Sequence, residues 1–215
     1  MRPDPRFRWR LFAERLIGGL VFGLVALLSG CGDSVPPLKP LPTEGKILAF
    51  GDSLTYGQGV LPEDSYPARL QAVTRRTVVN GGQIGERSAE GLKRLPIWLN
   101  EVEPRLLILC HGAQDLLRAQ SEDKVRENLR AMVKMARDRG IDVVLLAVPQ
   151  FGGMRANPVL YEDIAAEFKV PIESQVLQEI VREERYHRDS VHPNAEGYQR
   201  VADALLTLIR AAGAL

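Results

Sequence analysis

Near the C-terminus a carboxylate and an imidazole stand three positions apart, in Asp189-Ser190-Val191-His192, and near the other end a serine stands in Gly51-Asp52-Ser53-Leu54-Thr55-Tyr56-Gly57. A hydroxyl is a poor nucleophile until a base accepts its proton, and the base needs a partner that holds it in the right tautomer. Ser53, His192 and Asp189 are the three parts of such a hydrolytic site. The spacing lets Asp189 reach one ring nitrogen of His192 while the other faces outward. Backbone N–H groups in the turn that starts at Ser53 can also face a developing oxyanion. Alone, Gly-Asp-Ser reads more simply as a helix N-cap, with Asp52 or Ser53 capping, and His192 as an exposed loop histidine. The two motifs together favour the chemistry.

The segments between them must bring these groups to one place. Lys46–Phe50 reads as a first strand, and Ser65–Arg75 as a helix with Pro67 in its first turn. Thr77–Asn80 is a short second strand. Glu86–Asn100 is largely helical, with Pro96 marking a kink or an end. Arg105–Cys110 is a strongly apolar third strand. Lys124–Arg139 carries Val125, Leu129, Met132, Val133 and Ala136 at helical spacing. Val143–Val148 is a fourth strand, Val159–Phe168 a helix, Val170–Ile172 a fifth strand and Ala195–Ala212 a closing helix. This alternation predicts an α/β fold, a five-stranded, mostly parallel sheet with helices on both faces. Ser53, the Gly81–Gly85 segment and Gly112-Ala113-Gln114-Asp115 then follow three successive strands and share one edge, where sites form in such sheets.

The front of the chain reads as an address. Arg2, Arg6, Arg8, Arg10 and Arg15 precede an uncharged run of 13 residues, Leu16 to Leu28. That is short of the ~20 apolar residues a spanning helix needs, and it fits the apolar region of a secretory signal. The run ends in Leu28-Ser29-Gly30-Cys31, which resembles a bacterial lipoprotein signal. The resemblance implies cleavage before Cys31, lipidation of Cys31 and a cell-envelope, periplasm-facing protein. Gly32 rather than aspartate follows the cysteine, which under the sorting rule for such proteins favours the outer membrane. An uncleaved N-terminal anchor is the alternative, and it too tethers the protein. Pro36, Pro37, Pro40 and Pro42 make residues 31–45 a stiff linker, reaching up to ~40 Å if extended. The expected organisation is therefore a signal over 1–30, a lipidated cysteine and linker over 31–45, and one catalytic domain over 46–215.

Composition agrees. Residues 1–30 hold five of the 28 basic and two of the 27 acidic residues, which leaves 23 and 25, net −2, in the remaining 185 residues. That length supports one domain with a proper core, and that balance argues against nucleic acid as a partner. Cys110 lies in an apolar run and reads as a small buried hydrophobe. The three histidines have no metal-ligand spacing, and the chemistry calls for no metal or organic cofactor. His111 and His187 read as structural, and Arg87 as solvated. A monomer is the expected state.

The motifs resemble those of the SGNH (GDSL) hydrolase family, and most closely its small bacterial thioesterase/lysophospholipase-like and arylesterase-like members. Gly51-Asp52-Ser53-Leu54 is similar to the first block of that family. Val78-Val79-Asn80-Gly81-Gly82-Gln83-Ile84-Gly85 is similar to the second, Gly112-Ala113-Gln114-Asp115 to the third and Asp189-Ser190-Val191-His192-Pro193-Asn194 to the fifth. The resemblance spans roughly Lys46 to Arg210. It implies a three-layer, flavodoxin-like fold and Ser53 as nucleophile with Asp189 and His192. It also implies an oxyanion hole built from Ser53, Gly85 and residue 114, and an acyl-serine route for small esters, lysophospholipids or acyl thioesters.

One position departs. Where the family's third block carries asparagine, this chain carries Gln114, one methylene longer with the same amide donor. Gln114 is expected to donate still, by folding back. Phe151 and Met154, after the fourth strand, are candidates for the lip of an acyl pocket. Two rival readings are a carbohydrate O-acetylesterase of the envelope, and an envelope lipoprotein that keeps the fold but only binds.

Overall fold

Apolar runs too short for core helices become strands buried on both faces. The computed structural model describes residues 35–151 and 158–215. In it the strands are β1 (Ile47–Gly51), β2 (Val78–Gly82), β3 (Leu106–Cys110), β4 (Asp142–Leu146) and β5 (Ile172–Glu173). Every residue of β1, β3 and β4 is buried. All pairings are parallel, in the order β2-β1-β3-β4-β5. Gly51 stands in register with Gly82 on one side and Cys110 on the other. The order reverses at β1, because the chain goes outward to β2 and returns to the far side as β3. Such a switch point opens a crevice beyond the carboxyl ends of the strands, and the order is the flavodoxin-like one.

The helices are α1 (Ser53–Tyr56), α2 (Tyr66–Thr74), α3 (Ser88–Val102), α4 (Ala113–Leu117), α5 (Glu122–Asp138), α6 (Leu160–Phe168), α7 (Val176–Arg182) and α8 (Ala195–Ala211). One layer packs α2 and α7 on α8, the other packs α3 and α6 on α5. The apolar stripe read from the sequence of α5 is the one that is buried: Val125, Leu129, Met132, Val133 and Ala136. Pro96 lies inside α3 and does not end it. The lost N–H and the ring clash disfavour helix there, but Leu95, Leu99 and Val102 are buried on both sides of it and carry the helix through. Three short helices, α1, α4 and α7, were beyond the periodicity argument, which needs more than a turn or two to register.

The domain starts earlier than residue 46. Of the stretch read as a linker, residues 35–45 are docked on the fold. Leu38 and Leu41 are each 7% exposed. Their N–H groups donate to the carbonyls of Ala212 and Ala214 at 2.8 Å each, and the N–H of Lys39 donates to the buried Asp142 Oδ2 at 2.7 Å. Proline removes donors from this segment, and the non-proline residues between supply the ones it uses. The expectation of a ~40 Å stand-off linker is thus corrected: Val35–Leu215 forms one unit. The signal over 1–30 and Cys31 lie outside the described residues.

Candidate active site

The first strand delivers Ser53 through a tight junction. At Gly51 a Cβ would lie 1.8 Å from the carbonyl oxygen of Cys110, so only glycine allows β1 and β3 to end this close together. Asp52 then caps α1, its Oδ1 accepting from the N–H of Leu54 at 3.1 Å. Its Oδ2 accepts from the N–H of Ala113 at 2.9 Å, which ties the first strand's loop to the third's. Complete burial pushes the Asp52 carboxyl above its ordinary value. Asp52 therefore fills the N-cap role that the sequence left open between it and Ser53. Ser53 is left as the first helical residue, half-buried, with its hydroxyl uncommitted to the cap.

The loop before α8 folds back on itself to present the other two groups. The N–H of Arg188 donates to the carbonyl of His192 at 2.8 Å, and the N–H of Asn194 to that of Tyr186 at 2.9 Å. Asn194 also caps α8 through Gly197 at 3.0 Å. Arg188 Nη1 donates to the carbonyl of Gly59 at 2.7 Å and pins this loop to the one that follows Ser53. His192 Nε2 lies 3.0 Å from Ser53 Oγ. His192 Nδ1 lies 3.0 Å from each oxygen of Asp189. Burial raises the Asp189 carboxyl, but donation from the N–H and ring of His192 and from the N–H of Val191 outweighs it and holds the group below its ordinary value. Ser53, His192 and Asp189 are therefore brought together in the order that proton transfer from the hydroxyl requires.

The remaining predicted residues sit around this pair of loops. Gly85 follows β2 with a left-handed φ of +76°, and its N–H has no hydrogen-bond partner among the described residues. The N–H of Ser53, at the first turn of α1, has no partner within its own helix. Gln114 lies half-buried on α4, its Oε1 4.0 Å from where a Cβ on Gly85 would stand. Its amide makes no hydrogen bond to another described residue. Asp115 beside it is buried and accepts from the N–H and Oγ of Ser88, at 2.7 and 3.0 Å, which anchors the start of α3 to the third loop. Loops from β1, β2 and β3 thus meet at one edge, as the alternation of elements predicts. Phe151 is half-buried and packs on the core. Met154 lies outside the described residues, as does Cys31.

The connections between these loops carry no signal in local sequence. Arg87, read as solvated, is a surface residue paired with Glu90 at 2.7 Å. Arg94 is the arginine that reaches the loops, and it is bound to the buried Glu86. No spacing rule signals a contact between α3 and the loop in front of it. His111 is fully buried in the same cluster, and His187 sits in a backbone bridge with Pro193. Cys110 is buried, and burial pushes its thiol well above its ordinary range.

Fold and site together define a hydrolase of three-layer, flavodoxin-like architecture, with a serine at the carboxyl edge of a parallel sheet. The profile of the GDSL-like Lipase/Acylhydrolase family matches residues 49–200. The chain is 29% identical over 169 residues to an arylesterase of Vibrio mimicus, covering 74% of this chain and 84% of that protein. It is 28% identical over 165 residues to thioesterase 1/protease 1/lysophospholipase L1 of Escherichia coli strain K12, covering 73% and 79%. Among solved structures, that of TesA superposes with a TM-score of 0.71 at 25% identity, covering 78% of this chain and 99% of that one. The chain belongs to the GDSL-like Lipase/Acylhydrolase family and is an ester-hydrolysing enzyme.

Proposed function

We propose that the protein is a membrane-tethered serine esterase whose nucleophile is Ser53. The observation that carries this reading is the unbroken run of contacts from Ser53 Oγ to His192 Nε2 and from His192 Nδ1 to Asp189, each 3.0 Å. His192 takes the Ser53 proton as Oγ bonds to the carbonyl carbon of the ester. The carbonyl oxygen becomes an oxyanion, held by the N–H groups of Ser53 and Gly85 and by the Gln114 amide. The tetrahedral adduct collapses, and His192 returns its proton to the leaving oxygen or sulfur. Water, deprotonated by the same ring, then hydrolyses the acyl-Ser53 ester. Asp189 holds the His192 ring proton on Nδ1, leaving Nε2 free to accept.

The substrate class is a small carboxylic ester, a lysophospholipid or an acyl thioester, following the names of the arylesterase and thioesterase/lysophospholipase relatives. The tether is Cys31, lipidated after cleavage of residues 1–30, in the cell envelope. Two or more acyl chains hold a protein far better than one. Only four peptide units separate Cys31 from the docked Val35, at most about 14 Å of extended chain.

The test is a p-nitrophenyl ester series from acetate to palmitate on the chain from Gly32 onward, beside Ser53→Ala. Ser53-dependent turnover is expected, with activity retained on acyl chains of eight carbons. Turnover confined to acetate would point to an acetylesterase instead. No turnover and no fluorophosphonate labelling of Ser53 in folded protein would overturn the esterase reading.

A further inference from the structure

Behind the loops that carry Ser53, Gly85 and Gln114 runs a chain of three side chains that the reaction above does not use. Arg94, on α3, forks onto Glu86, from Nε to Oε1 at 2.7 Å and from Nη2 to Oε2 at 2.6 Å. The same Nη2 reaches the carbonyls of Gly81 at 2.9 Å and Gly51 at 3.3 Å. Glu86 Oε2 also lies 3.1 Å from His111 Nε2. The other ring nitrogen, Nδ1, accepts from the N–H of Gly112 at 3.0 Å. With Nδ1 accepting from Gly112, Nε2 is the ring nitrogen that donates to Glu86. Glu86 is 3% exposed and His111 is not exposed at all. The Arg94 guanidinium also stacks 4.1 Å over the Phe50 ring, which leaves it little freedom to move.

What this chain touches gives it its meaning. Gly51 lies two residues before Ser53. Gly81 and Glu86 bracket the loop that holds Gly85, with Glu86 its immediate neighbour. Gly112 lies two residues before Gln114. One connected set, the buried Glu86 and His111 with the half-buried Arg94, therefore binds all three strand-end loops, from β1, β2 and β3. Room for the imidazole is provided by Gly91 of α3, where a Cβ would stand 2.3 Å from His111 Nε2. A buried ion pair is poor evidence for net stability. It is, however, directional and planar, and a planar fork fixes orientation where a point charge does not. Oxyanion stabilisation depends on donors held in place before the charge develops.

We propose that Arg94, Glu86 and His111 are positioning residues that hold the loops of Ser53, Gly85 and Gln114 in mutual register for oxyanion binding. The assignment rests on the esterase reading above. Arg94→Lys keeps the charge and loses the fork. His111→Leu removes both ring contacts without stranding a new charge and leaves the Arg94–Glu86 pair intact. His111→Gln keeps an acceptor for Gly112 and a donor for Glu86.

The experiment measures kcat and KM on p-nitrophenyl butyrate for the full chain in detergent, with wild type and Ser53→Ala alongside. Each variant is assayed well below its own melting temperature, and amide exchange over residues 81–87 is followed in parallel. Arg94→Lys and His111→Leu are expected to lower kcat about 10- to 100-fold, with KM within about threefold of wild type. His111→Gln should recover most of the loss, and amide exchange over 81–87 should quicken in the two damaged variants. Folded Arg94→Lys and His111→Leu with wild-type kcat would overturn the proposal whatever their melting temperatures, as would a loss in His111→Gln equal to that in His111→Leu. Wild type without Ser53-dependent turnover would instead overturn the esterase reading. Unchanged exchange over 81–87 in Arg94→Lys would then overturn the positioning reading by itself.

Discussion

Asp189 Oδ1 accepts from two atoms of one residue: the ring Nδ1 of His192 at 3.0 Å and the backbone N–H of the same His192 at 2.8 Å. The base that Asp189 orients is thus also what fixes Asp189. The N–H of Val191 adds a third contact at 2.9 Å. This closed arrangement fits in a three-residue spacing, which explains how an aspartate with a half-exposed side chain can still aim an imidazole.

Asp189→Asn tests the tautomer directly. The amide oxygen can keep the backbone contacts, which turns the amide N–H₂ toward His192 Nδ1. The ring proton would then move to Nε2, facing Ser53, where it blocks proton acceptance. An asparagine in the equivalent role in a serine protease lowers kcat about 10⁴-fold. A fall of about 10³- to 10⁴-fold with little change in KM is expected here, read from steady-state kinetics on a soluble ester. A loss under tenfold would mean that His192 is held by its backbone alone.

The same carboxylate should show in the pH dependence of stability. Asp189 titrates below its ordinary value of 3.8 in the folded chain. A group whose pKa is lowered on folding stabilises the fold above its unfolded pKa, and that contribution is lost as the pH falls through the folded value. The melting-temperature gap between wild type and Asp189→Asn should therefore be flat above about pH 5 and narrow below about pH 4. Melting curves at a series of pH values check this. A gap that widens toward low pH would contradict the sign.

Gln114 is the departure from the family pattern, and its amide is expected to donate to the oxyanion. Its amide is unengaged among the described residues, and it faces the Gly85 loop. Gln114→Ala should lower kcat about 10²- to 10³-fold, the usual effect of losing one oxyanion donor. Gln114→Asn should match or fall below wild type, because a site arranged around the longer side chain leaves the shorter amide out of reach. A gain of about 100-fold in Gln114→Asn would show instead that the native hole is short of a donor.

Much of this site was legible because its parts are local in sequence. Ser53 sits beside its cap, Asp189 sits three residues from His192, and buried parallel strands announce themselves as apolar runs. The illegible parts are contacts between segments. Arg94 and Glu86 are eight residues apart, and His111 and Glu86 are 25 apart. Nothing in local composition separates a half-buried arginine such as Arg94 from a surface one such as Arg87. The docking of the proline-rich stretch is hidden for a similar reason. Pro36, Pro37, Pro40 and Pro42 have the composition of a linker, and only the distant Asp142, Ala212 and Ala214 reveal the docking of the residues between them.

That docking can be tested by stability. Leu38 and Leu41 are each 7% exposed and sit in the hydrophobic core cluster, with backbone N–H groups bound to Ala212 and Ala214. A free linker would tolerate any polar side chain at these positions. A docked one loses buried apolar area and leaves a partial cavity. Leu38→Ala and Leu41→Ala should each lower stability by about 2 kcal/mol, at the low end for core leucines because both sites lie at the rim of the core. For a domain of this size that is about 4–8 °C in melting temperature. The catalytic edge lies at the opposite end of the strands from Asp142, so kcat on a soluble ester at low temperature should stay near wild type. Calorimetry on the two variants beside wild type decides the matter. Unchanged melting temperatures in both would return residues 35–45 to the role of a linker.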